Sequence, residues 1–568
     1  MKILLKNGSV VNVFSDSLEK GNVLIEDEKI IGVGDYTEDD ADIVEDVSGK
    51  YICPGFIDGH IHIESTMMTP VEFAKAVLPH GTTGVIADPH EIANVCGIEG
   101  VQFMLEASAE LPVTVYIMLP SCVPSTAFDE SGATLTAEDL EPLYMTPRIL
   151  GLAEMMNYPG VIAKEQEVLQ KIEDAHRNGK VVDGHAPLIS GKELDIYLSA
   201  GIQSDHECSS YEEGAERIRK GQWLMIRQGT AARNLNGLIE LFDEPWSRKC
   251  LLVTDDRHPA DILKDGHIDH IIRLAIEMGK SPFAAIRMAT IQTAECFGLH
   301  RVGAVAPGFQ ANVLILDDLD SVSVRDVYCG GKKVVSNGKV TEITTPAIKE
   351  QRIKAVRNSF YVDKLRESDL HIEEKGTHCR VIKTIPGQLL TDEWITEINW
   401  AKNNGIDVER DILKIAVIER HMHTGHKGIG FISGIGLKKG AVASTVSHDS
   451  HNLVIIGAND EDMMCVANHV IKMGGGYAVS CDGKILADLP LPIAGLMSEL
   501  GATELAEKNE KLLDTLTFLG VAKEVAPLMT MAFVSLAVIP SLKLTTKGLV
   551  DVGKQEQVSL YADLCDGR

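Results

Sequence analysis

The stretch Phe56-Ile-Asp-Gly-His-Ile-His62 is the part of this 568-residue chain from which its fold is predicted. It continues an apolar run that begins at Tyr51, and such a run is typical of a strand buried on both faces of a parallel sheet. His60 and His62 are two residues apart, so on an extended strand their imidazoles project to the same face. Active sites of parallel α/β barrels lie at the carboxyl ends of the strands. The two histidines therefore predict a metal site at the end of a first strand.

The middle of the chain alternates short apolar runs with longer helical patterns, which is typical of a parallel sheet. Eight strands are predicted, at residues 51–60, 83–88, 113–119, 149–154, 180–185, 201–206, 223–227 and 250–255. Eight β/α units in about 250 residues is the expected size of a TIM (β/α)8 barrel. A doubly wound α/β sheet is the alternative, but it explains less well why metal-type residues follow five different strands.

Strand-rich segments with turn signals flank this middle part on both sides, which indicates one small β domain assembled from both flanks. The composition changes again after Thr345, where strands and helices are mixed. We therefore predict a split β domain at 1–50 and 300–345, the barrel at 51–299, and a C-terminal α+β domain at 346–568. Within the last domain, the pattern predicts strands at 412–419 and 453–457 and a helix at 461–473 that ends at a glycine triplet.

Composition limits the function of this chain. Its net charge of −28 argues against nucleic acids and anionic membranes as partners, since both would repel it. The eleven cysteines are odd in number and scattered, which favours reduced thiols in the cytoplasm. No apolar run approaches the roughly 20 residues of a membrane span, and the N-terminus has no signal-peptide pattern. A small neutral substrate is compatible with all of these observations.

Ligand-type side chains follow the predicted strands in a fixed order. Any one of them alone would have an ordinary structural explanation, but the whole ordered set is specific. Because the carboxyl ends of barrel strands meet at one edge, one or two divalent metals explain the set economically. The set consists of four histidines and two carboxylates, namely His60, His62, Glu154, His185, His206 and Asp255.

This ordered set resembles that of the amidohydrolase superfamily, as do the split β domain and the stretch Ala306-Pro-Gly-Phe-Gln-Ala-Asn312. More narrowly, the chain resembles the bacterial adenine deaminase family, in phrases that extend over essentially its full length. The matching phrases are residues 56–68, 88–92, 151–156, 191–194, 231–234, 254–257 and 447–452.

The resemblance implies an activity and a cofactor. The activity is hydrolytic deamination of adenine to hypoxanthine and ammonia in purine salvage, by a metal-activated hydroxide that attacks C6. The cofactor is a pair of divalent metals, with manganese or iron favoured over zinc. Binuclear amidohydrolases often carry a bridging carbamylated lysine at the fourth strand, and the resemblance implies that Glu154 is the bridge here.

Several catalytic and binding roles follow from the same resemblance and from the chemistry. Asp255 is expected to act first as general base and then as general acid. His90 or Glu91 is expected to protonate the purine ring, and the sequence does not choose between the two. Asp256 is assigned to the purine edge, with a solvated loop carboxylate as the alternative. Arg227 is assigned to the substrate pocket, with a structural role as the alternative.

Three further residues are assigned to substrate binding. His448 and His451 belong to the phrase Ser447-His-Asp-Ser-His-Asn452, which is either a loop that reaches the barrel mouth or a polar turn. Glu64 lies two residues after His62. The His-x-Glu pattern also occurs in cytidine deaminases, but the Pro-Cys-x-x-Cys motif of that fold is absent from this sequence.

Two other functions are alternatives to adenine deamination. One is an amidohydrolase that acts on a cyclic amide, of the hydantoinase or dihydroorotase type, and Glu154 in place of lysine counts against it. The other is a non-catalytic scaffold with the amidohydrolase fold, which would need none of the ligands from His60 to Asp255. The expected substrate is a small purine, the expected assembly is a homodimer, and the expected location is the cytoplasm.

Overall fold

The computed structural model describes residues 1–230, 232–386, 388–522 and 525–562. Contacts within the chain divide it into two compact units. The first unit contains residues 1–89, 104–121 and 136–348, and the second contains residues 90–103, 122–135 and the chain from 349 onward. In these described ranges, no helix is both long enough and apolar enough to cross a membrane.

The strands of the first unit are numbered in chain order. They are β1 (Lys2–Lys6), β2 (Ser9–Asn12), β3 (Ser17–Lys20), β4 (Asn22–Glu26), β5 (Lys29–Gly34), β6 (Ile43–Asp46), β7 (Tyr51–Pro54), β8 (Phe56–Ile61), β9 (Thr82–Ala87), β10 (Thr114–Leu119), β11 (Ile149–Met155), β12 (Val181–Gly184), β13 (Ser204–Asp205), β14 (Trp223–Arg227), β15 (Cys250–Val253), β16 (Val313–Asp318), β17 (Ser323–Cys329), β18 (Lys332–Ser336) and β19 (Lys339–Val340).

The helices up to residue 300 are α1 (Pro70–Val77), α2 (His90–Ala107), α3 (Ala137–Leu140), α4 (Tyr158–Ala163), α5 (Gln166–Arg177), α6 (Gly191–Ser199), α7 (Tyr211–Arg219), α8 (Leu235–Leu238), α9 (Pro259–Asp265), α10 (Ile268–Glu277), α11 (Pro282–Met288) and α12 (Ile291–Cys296). Most of them lie between successive strands from β8 to β15, so the predicted alternation of strands and helices, and with it the α/β class, is confirmed.

Strands β8 to β15 form two parallel sheets, one with the order β12-β11-β10-β9-β8 and one with the order β13-β14-β15. Hydrogen bonds connect these sheets at both edges. At one edge the Gln203 N–H donates to the Val182 carbonyl over 3.0 Å, and at the other the Asp255 N–H donates to the His60 carbonyl over 2.9 Å. The parallel sheet is therefore curled, and its strand ends converge.

The predicted first strand, 51–60, is in fact two strands. Pro54-Gly55 interrupts it, and β7 pairs with β16 and β2 in an antiparallel-rich sheet while β8 joins the parallel sheet. The change of direction depends on a close approach at Gly55, where a Cβ atom would lie 2.3 Å from Thr83 Oγ1. Local hydrophobicity alone does not reveal this break, because both strands are apolar.

Two further sheets in the first unit are built from the flanks of the parallel sheet, the larger from both flanks and the smaller from the N-terminal flank alone. The larger has the order β19-β18-β17-β16-β7-β2-β3, and the smaller has the order β5-β4-β1-β6. Their apolar faces share one core, because strands that alternate buried and exposed residues must bury one face. This core contains Ile3, Leu5, Val10, Val23, Ile25, Ile30, Ile52, Val313, Ile315 and Tyr328.

A second core fills the inside of the curled parallel sheet. Side chains from five strands meet there, together with the last residue of α12 and the residue after it, and none is more than 3% exposed. Such layers of inward-pointing side chains make the interior of an α/β barrel solid rather than hollow. The core consists of Ile86, Met118, Ala153, Met225, Leu251, Val253, Cys296 and Phe297.

The second unit is built on a mostly antiparallel sheet with the order β21-β20-β23-β22-β25-β24-β26-β27, and a small sheet β28-β29-β30. These strands are β20 (His378–Thr384), β21 (Thr391–Glu397), β22 (Leu413–Ile418), β23 (Lys427–Ser433), β24 (Ala441–Ser444), β25 (Leu453–Gly457), β26 (Gly476–Cys481), β27 (Lys484–Pro490), β28 (Leu542–Thr545), β29 (Gly548–Asp551) and β30 (Glu556–Val558).

The later helices are α13 (Glu350–Arg357), α14 (Asp460–Met473), α15 (Ala502–Phe518) and α16 (Pro527–Phe533). Helix α14 packs on the large sheet through Met463, Val466, Ala467 and Val470. It ends at Gly474, whose φ of 78° is the left-handed conformation that favours glycine at a helix end. The predicted helix and its glycine stop are confirmed, as are the predicted strands β22 and β25.

Gly59, in the middle of β8, generates the first prediction. A Cβ atom at this position would lie 2.3 Å from Leu251 Cδ1 and 3.2 Å from Val253 Cγ1, both in the inner core. We expect Gly59→Ala to lower the free energy of unfolding by about 1–3 kcal/mol, the usual cost of overpacking a core. Chemical denaturation measures this change.

The matched control is Gly84→Ala in the neighbouring strand β9. Gly84 is also buried, but the nearest atom to its added Cβ would be 3.6 Å away, which is ordinary van der Waals contact. An equal loss of stability in both variants would show that the lack of room next to Leu251 is not the cause.

Candidate metal centre

The carboxyl ends of five parallel strands bring the six predicted ligands together. His60 lies in β8 and His62 directly follows it, while Glu154 is the next-to-last residue of β11. His185, His206 and Asp255 follow β12, β13 and β15. All are buried except the half-buried His185.

His60 and His62 direct the same ring nitrogen toward the same space. The Nδ1–H of His62 donates to the Asp88 carbonyl over 3.0 Å, and the Nδ1–H of His60 donates to Asp183 Oδ2 over 3.1 Å. In the neutral rings, both Nε2 atoms therefore carry lone pairs, and these atoms are 3.2 Å apart. Two facing lone pairs repel each other unless a cation lies between them, so this pair is arranged as metal ligands are.

Glu154 places its two oxygens against two different pairs of histidines. Oε1 lies 3.3 Å from His62 Nε2 and 3.8 Å from His60 Nε2. Oε2 lies 2.7 Å from His185 Nδ1 and 3.2 Å from His206 Nε2. A carboxylate in this position can bind one cation with each oxygen.

These separations match those between ligands that share a metal. Ligands about 2.1 Å from one tetrahedral ion are roughly 3.4 Å from each other. The Nε2 atoms of His60 and His62 and the Oδ1 atom of Asp255 are 3.1 to 3.6 Å apart. His185 Nδ1 and His206 Nε2 are 3.3 Å apart. The imidazole and carboxylate donors thus fit a divalent metal in both number and spacing.

The electrostatics of the cluster also favour a cation. Burial opposes charge on His60, yet its hydrogen bonds to Asp183 and Asp255 and the charge of Glu154 raise its pKa to about 10. Burial likewise opposes charge on His185, but the Glu207 and Glu154 carboxylates raise its pKa to about 9. The buried carboxylates therefore stabilise positive charge among these rings, and a bound metal ion would supply that charge in place of protons.

Asp255 divides its two oxygens between the histidines and an arginine. Its Oδ1 lies 3.1 Å from His62 Nε2, and its Oδ2 accepts a 2.7 Å hydrogen bond from Arg227. Burial raises the pKa of Asp255, but the Arg227 charge and the histidine hydrogen bonds outweigh it and hold the pKa well below its usual range. The carboxylate is therefore ionised.

Three acidic residues that contact the site were not among the site residues predicted from the sequence. Asp183 orients His60, and Glu207 accepts a 2.7 Å hydrogen bond from Arg227. Asp58 accepts hydrogen bonds from the Thr254 N–H and hydroxyl, and so ties β8 to the end of β15. A signal existed for Asp183, which lies two residues before His185 and hence on the same strand face.

The other predicted substrate residues of the first unit lie close to these ligands in the chain. Asp256 accepts a hydrogen bond from the Ser65 hydroxyl, which fixes the orientation of its carboxylate. Glu64 is buried in the short turn that follows His62. Arg227 is the last residue of β14, and its side chain donates hydrogen bonds to two carboxylates, so it is part of the charge network.

The remaining predicted site residues form a cluster in the second unit. The Glu91 carboxylate contacts both His448 and His451, one imidazole at each oxygen. The Nε2 atom of His90 lies 3.3 Å from Glu91 Oε1. The Phe533 ring stacks on the His448 ring, with 4.5 Å between the ring centroids. His448 and His451 are therefore not merely turn residues, because they hold a buried carboxylate.

In this second cluster the His451 imidazole directs a proton, not a lone pair, toward Glu91. The Ser447 N–H donates to His451 Nδ1 over 3.2 Å, so Nδ1 carries the lone pair. Burial lowers the pKa of His451 to about 4, which makes the ring neutral. Its single proton therefore lies on Nε2, the atom that faces Glu91, and a protonated nitrogen cannot bind a metal.

Comparison with known proteins agrees with this geometry. Residues 51–334 match the amidohydrolase family, and residues 388–556 match the adenine deaminase C-terminal domain. The chain is 46% identical over 554 residues to adenine deaminase 2 of Carboxydothermus hydrogenoformans, which covers 97% of this chain and 95% of that protein. It is also 46% identical to the adenine deaminase of Clostridium acetobutylicum, with coverage of 97% and 96%. The chain belongs to the adenine deaminase family.

Membership of this family confirms the resemblance that the sequence phrases indicated. The match includes the C-terminal segment, which the amidohydrolase match alone does not cover. An amidohydrolase domain together with the His, Asp and Glu cluster indicates a divalent metal cofactor.

Glu154 generates the prediction for this centre. A neutral amide is a poor ligand for two cations, so we expect Glu154→Gln to weaken metal binding. Loss of a residue that only hydrogen-bonds to a ligand costs roughly 10–100-fold in metal affinity, and loss of Glu154 should cost at least as much. Elemental analysis after dialysis against a chelator measures it. The control is Glu193→Gln on the exposed surface of α6, which should retain metal like the unaltered protein. Full retention in Glu154→Gln would show that another residue binds the metal.

Proposed function

We propose that this protein hydrolyses adenine to hypoxanthine and ammonia. The observation that carries the proposal is the 46% identity to an adenine deaminase over 97% of the chain, including both matched domains. The buried centre supports it, because replacing the C6 amino group of an electron-poor ring by oxygen requires a strong nucleophile and a proton shuttle.

We also propose that β8 to β15 close into a complete (β/α)8 barrel. The hydrogen bonds at both edges of the two parallel sheets support this, as does the parallel pairing of Ile61 with Asp255. In such a barrel the strand ends surround one site, which is where the six ligands lie.

Two metal ions would be held by this centre. His60, His62 and one Glu154 oxygen would hold one, and His185, His206 and the other Glu154 oxygen would hold the second. When bound, divalent metals lower the pKa of water enough for a hydrolytic nucleophile to form at neutral pH. The donors are imidazoles and carboxylates without a thiolate, which suits manganese and iron.

Asp255 is the proton shuttle in this proposal. Its Oδ1 faces the histidine nitrogens while Arg227 holds its Oδ2, so only one oxygen is directed into the site. That oxygen takes a proton from the attacking water and returns it to the departing amino nitrogen. Asp256, fixed by Ser65, binds the purine edge beside it.

Several assignments made from the sequence stay predictions. These are protonation of the purine by His90 or Glu91, and substrate binding by Glu64, Arg227, His448 and His451. The homodimer and the cytoplasmic location also stay predictions. The ten cysteines in the described part of the chain are all free thiols, which is compatible with a reducing compartment.

Substrate specificity tests the proposed reaction. We expect the manganese-loaded protein to release ammonia from adenine, and to act weakly or not at all on adenosine and cytosine. A coupled ammonia assay over a panel that also includes hydantoin and dihydrouracil measures this, with metal-stripped protein as the control. Metal-loaded protein that is inert on adenine but opens hydantoin would overturn the proposal.

The pair Asp255 and Asp256 tests the division between proton transfer and recognition. Asp255→Asn keeps the shape of the side chain but cannot carry a proton, so kcat should fall by about 10²–10⁴. Asp256→Asn should raise KM instead, because it weakens binding of the purine edge. Steady-state kinetics on variants of matched metal content measures both. Near-normal kcat in Asp255→Asn together with a large loss in Asp256→Asn would reverse the two roles.

A further inference from the structure

Glu207 lies where a fourth ligand for the second metal would lie. Its Oε1 is 3.4 Å from His206 Nε2 and 3.6 Å from His185 Nδ1, the separations expected between ligands of one ion. Glu154 Oε2 faces the same two rings. Two imidazoles and two carboxylates can close a tetrahedral shell. A catalytic metal, in contrast, keeps one position open for water or substrate.

Arg227 competes for this same Glu207 oxygen. One terminal nitrogen of its guanidinium donates to Glu207 Oε1 and to Asp255 Oδ2, in both cases over 2.7 Å. Arg227 is 8% exposed, and its position at the end of β14 sets it between the strand ends that carry these two carboxylates. The arginine thus occupies lone pairs that would otherwise be available to metals.

We propose that Arg227 is a positioning residue that keeps the Glu207 carboxylate out of the metal shell of His185 and His206 and limits Asp255 to one metal-facing oxygen. This inference rests on the metal site of the proposed function. The oxygen of Glu207 that faces the two rings is the one engaged by Arg227, so loss of the arginine frees a ligand that is already in position.

The test measures metal retention without substrate. The variants are Arg227→Met, which removes charge and donors but keeps length, Glu207→Gln, and the double variant. Each is loaded with manganese, and the rate of metal loss to a competing chelator is followed. Thermal denaturation first establishes that each protein is folded; if Arg227→Met is not, Arg227→Gln replaces it in both the single and the double variant.

We expect Arg227→Met to lose metal more slowly by about 10-fold, because an added carboxylate ligand that contributes roughly 1.4 kcal/mol has an effect of that size. Glu207→Gln alone should lose metal at nearly the native rate, because Glu207 is not a ligand in the native protein. The double variant should return to nearly the native rate. On adenine, Arg227→Met should show a lower kcat, because the shell of the second metal is closed.

Three results would overturn this inference and leave the proposed metal site in place. One is a rate of metal loss in Arg227→Met that is unchanged or faster. Another is slow loss that persists in the double variant, which would assign the effect to the missing positive charge alone. The third is fast loss from Glu207→Gln, which would make Glu207 a native ligand. A native protein that retains no metal would overturn the metal site as well, whereas metal-loaded protein inert on adenine would overturn only the proposed reaction.

Discussion

The centre of the first unit depends on one constraint, the fixed orientation of His60 and His62. Asp183 and the Asp88 carbonyl each accept an Nδ1–H, so the two Nε2 lone pairs meet 3.2 Å apart. A hydrogen bond on the outer nitrogen fixes the tautomer of a metal-binding histidine in this way. The rest of the site follows from the need to place positive charge between these rings and to balance it with Glu154 and Asp255.

The packing beneath the centre makes this orientation possible. Asp58 binds the Thr254 N–H and hydroxyl, which holds the end of β8 against the end of β15. Gly59 lets Leu251 fill the space below, where a methyl group would not fit. The short stretch from Asp58 to His62 therefore serves both the contact with β15 and the chemistry at the strand end. Asp58, His60 and His62 share one face of the strand, and Gly59 lies on the other.

Much of this arrangement could be predicted from the sequence, and the reason is geometric. Parallel strands present their carboxyl ends at one edge, so residues after apolar runs, such as His185 and His206, meet even when they are far apart in the chain. The break at Pro54-Gly55 could not be predicted in the same way. Strands β7 and β8 are both apolar, but they pair with different strands. Strand β8 pairs with β9, whereas β7 pairs with β16, which lies far away in the chain.

By itself, the sequence determined the α/β class and the order in which the predicted ligands follow the strands, because periodic apolar runs and the residues that follow them are local properties. The tertiary structure alone decided which atom of each predicted ligand faces the other ligands. His60 takes its tautomer from Asp183, which is 123 residues away, and Asp255 loses one oxygen to Arg227. It also showed that the proton of His451 faces Glu91, because the Ser447 N–H that fixes this tautomer is placed by the backbone. Hydrogen bonds between distant strands are a property of the folded chain, and no local pattern records them.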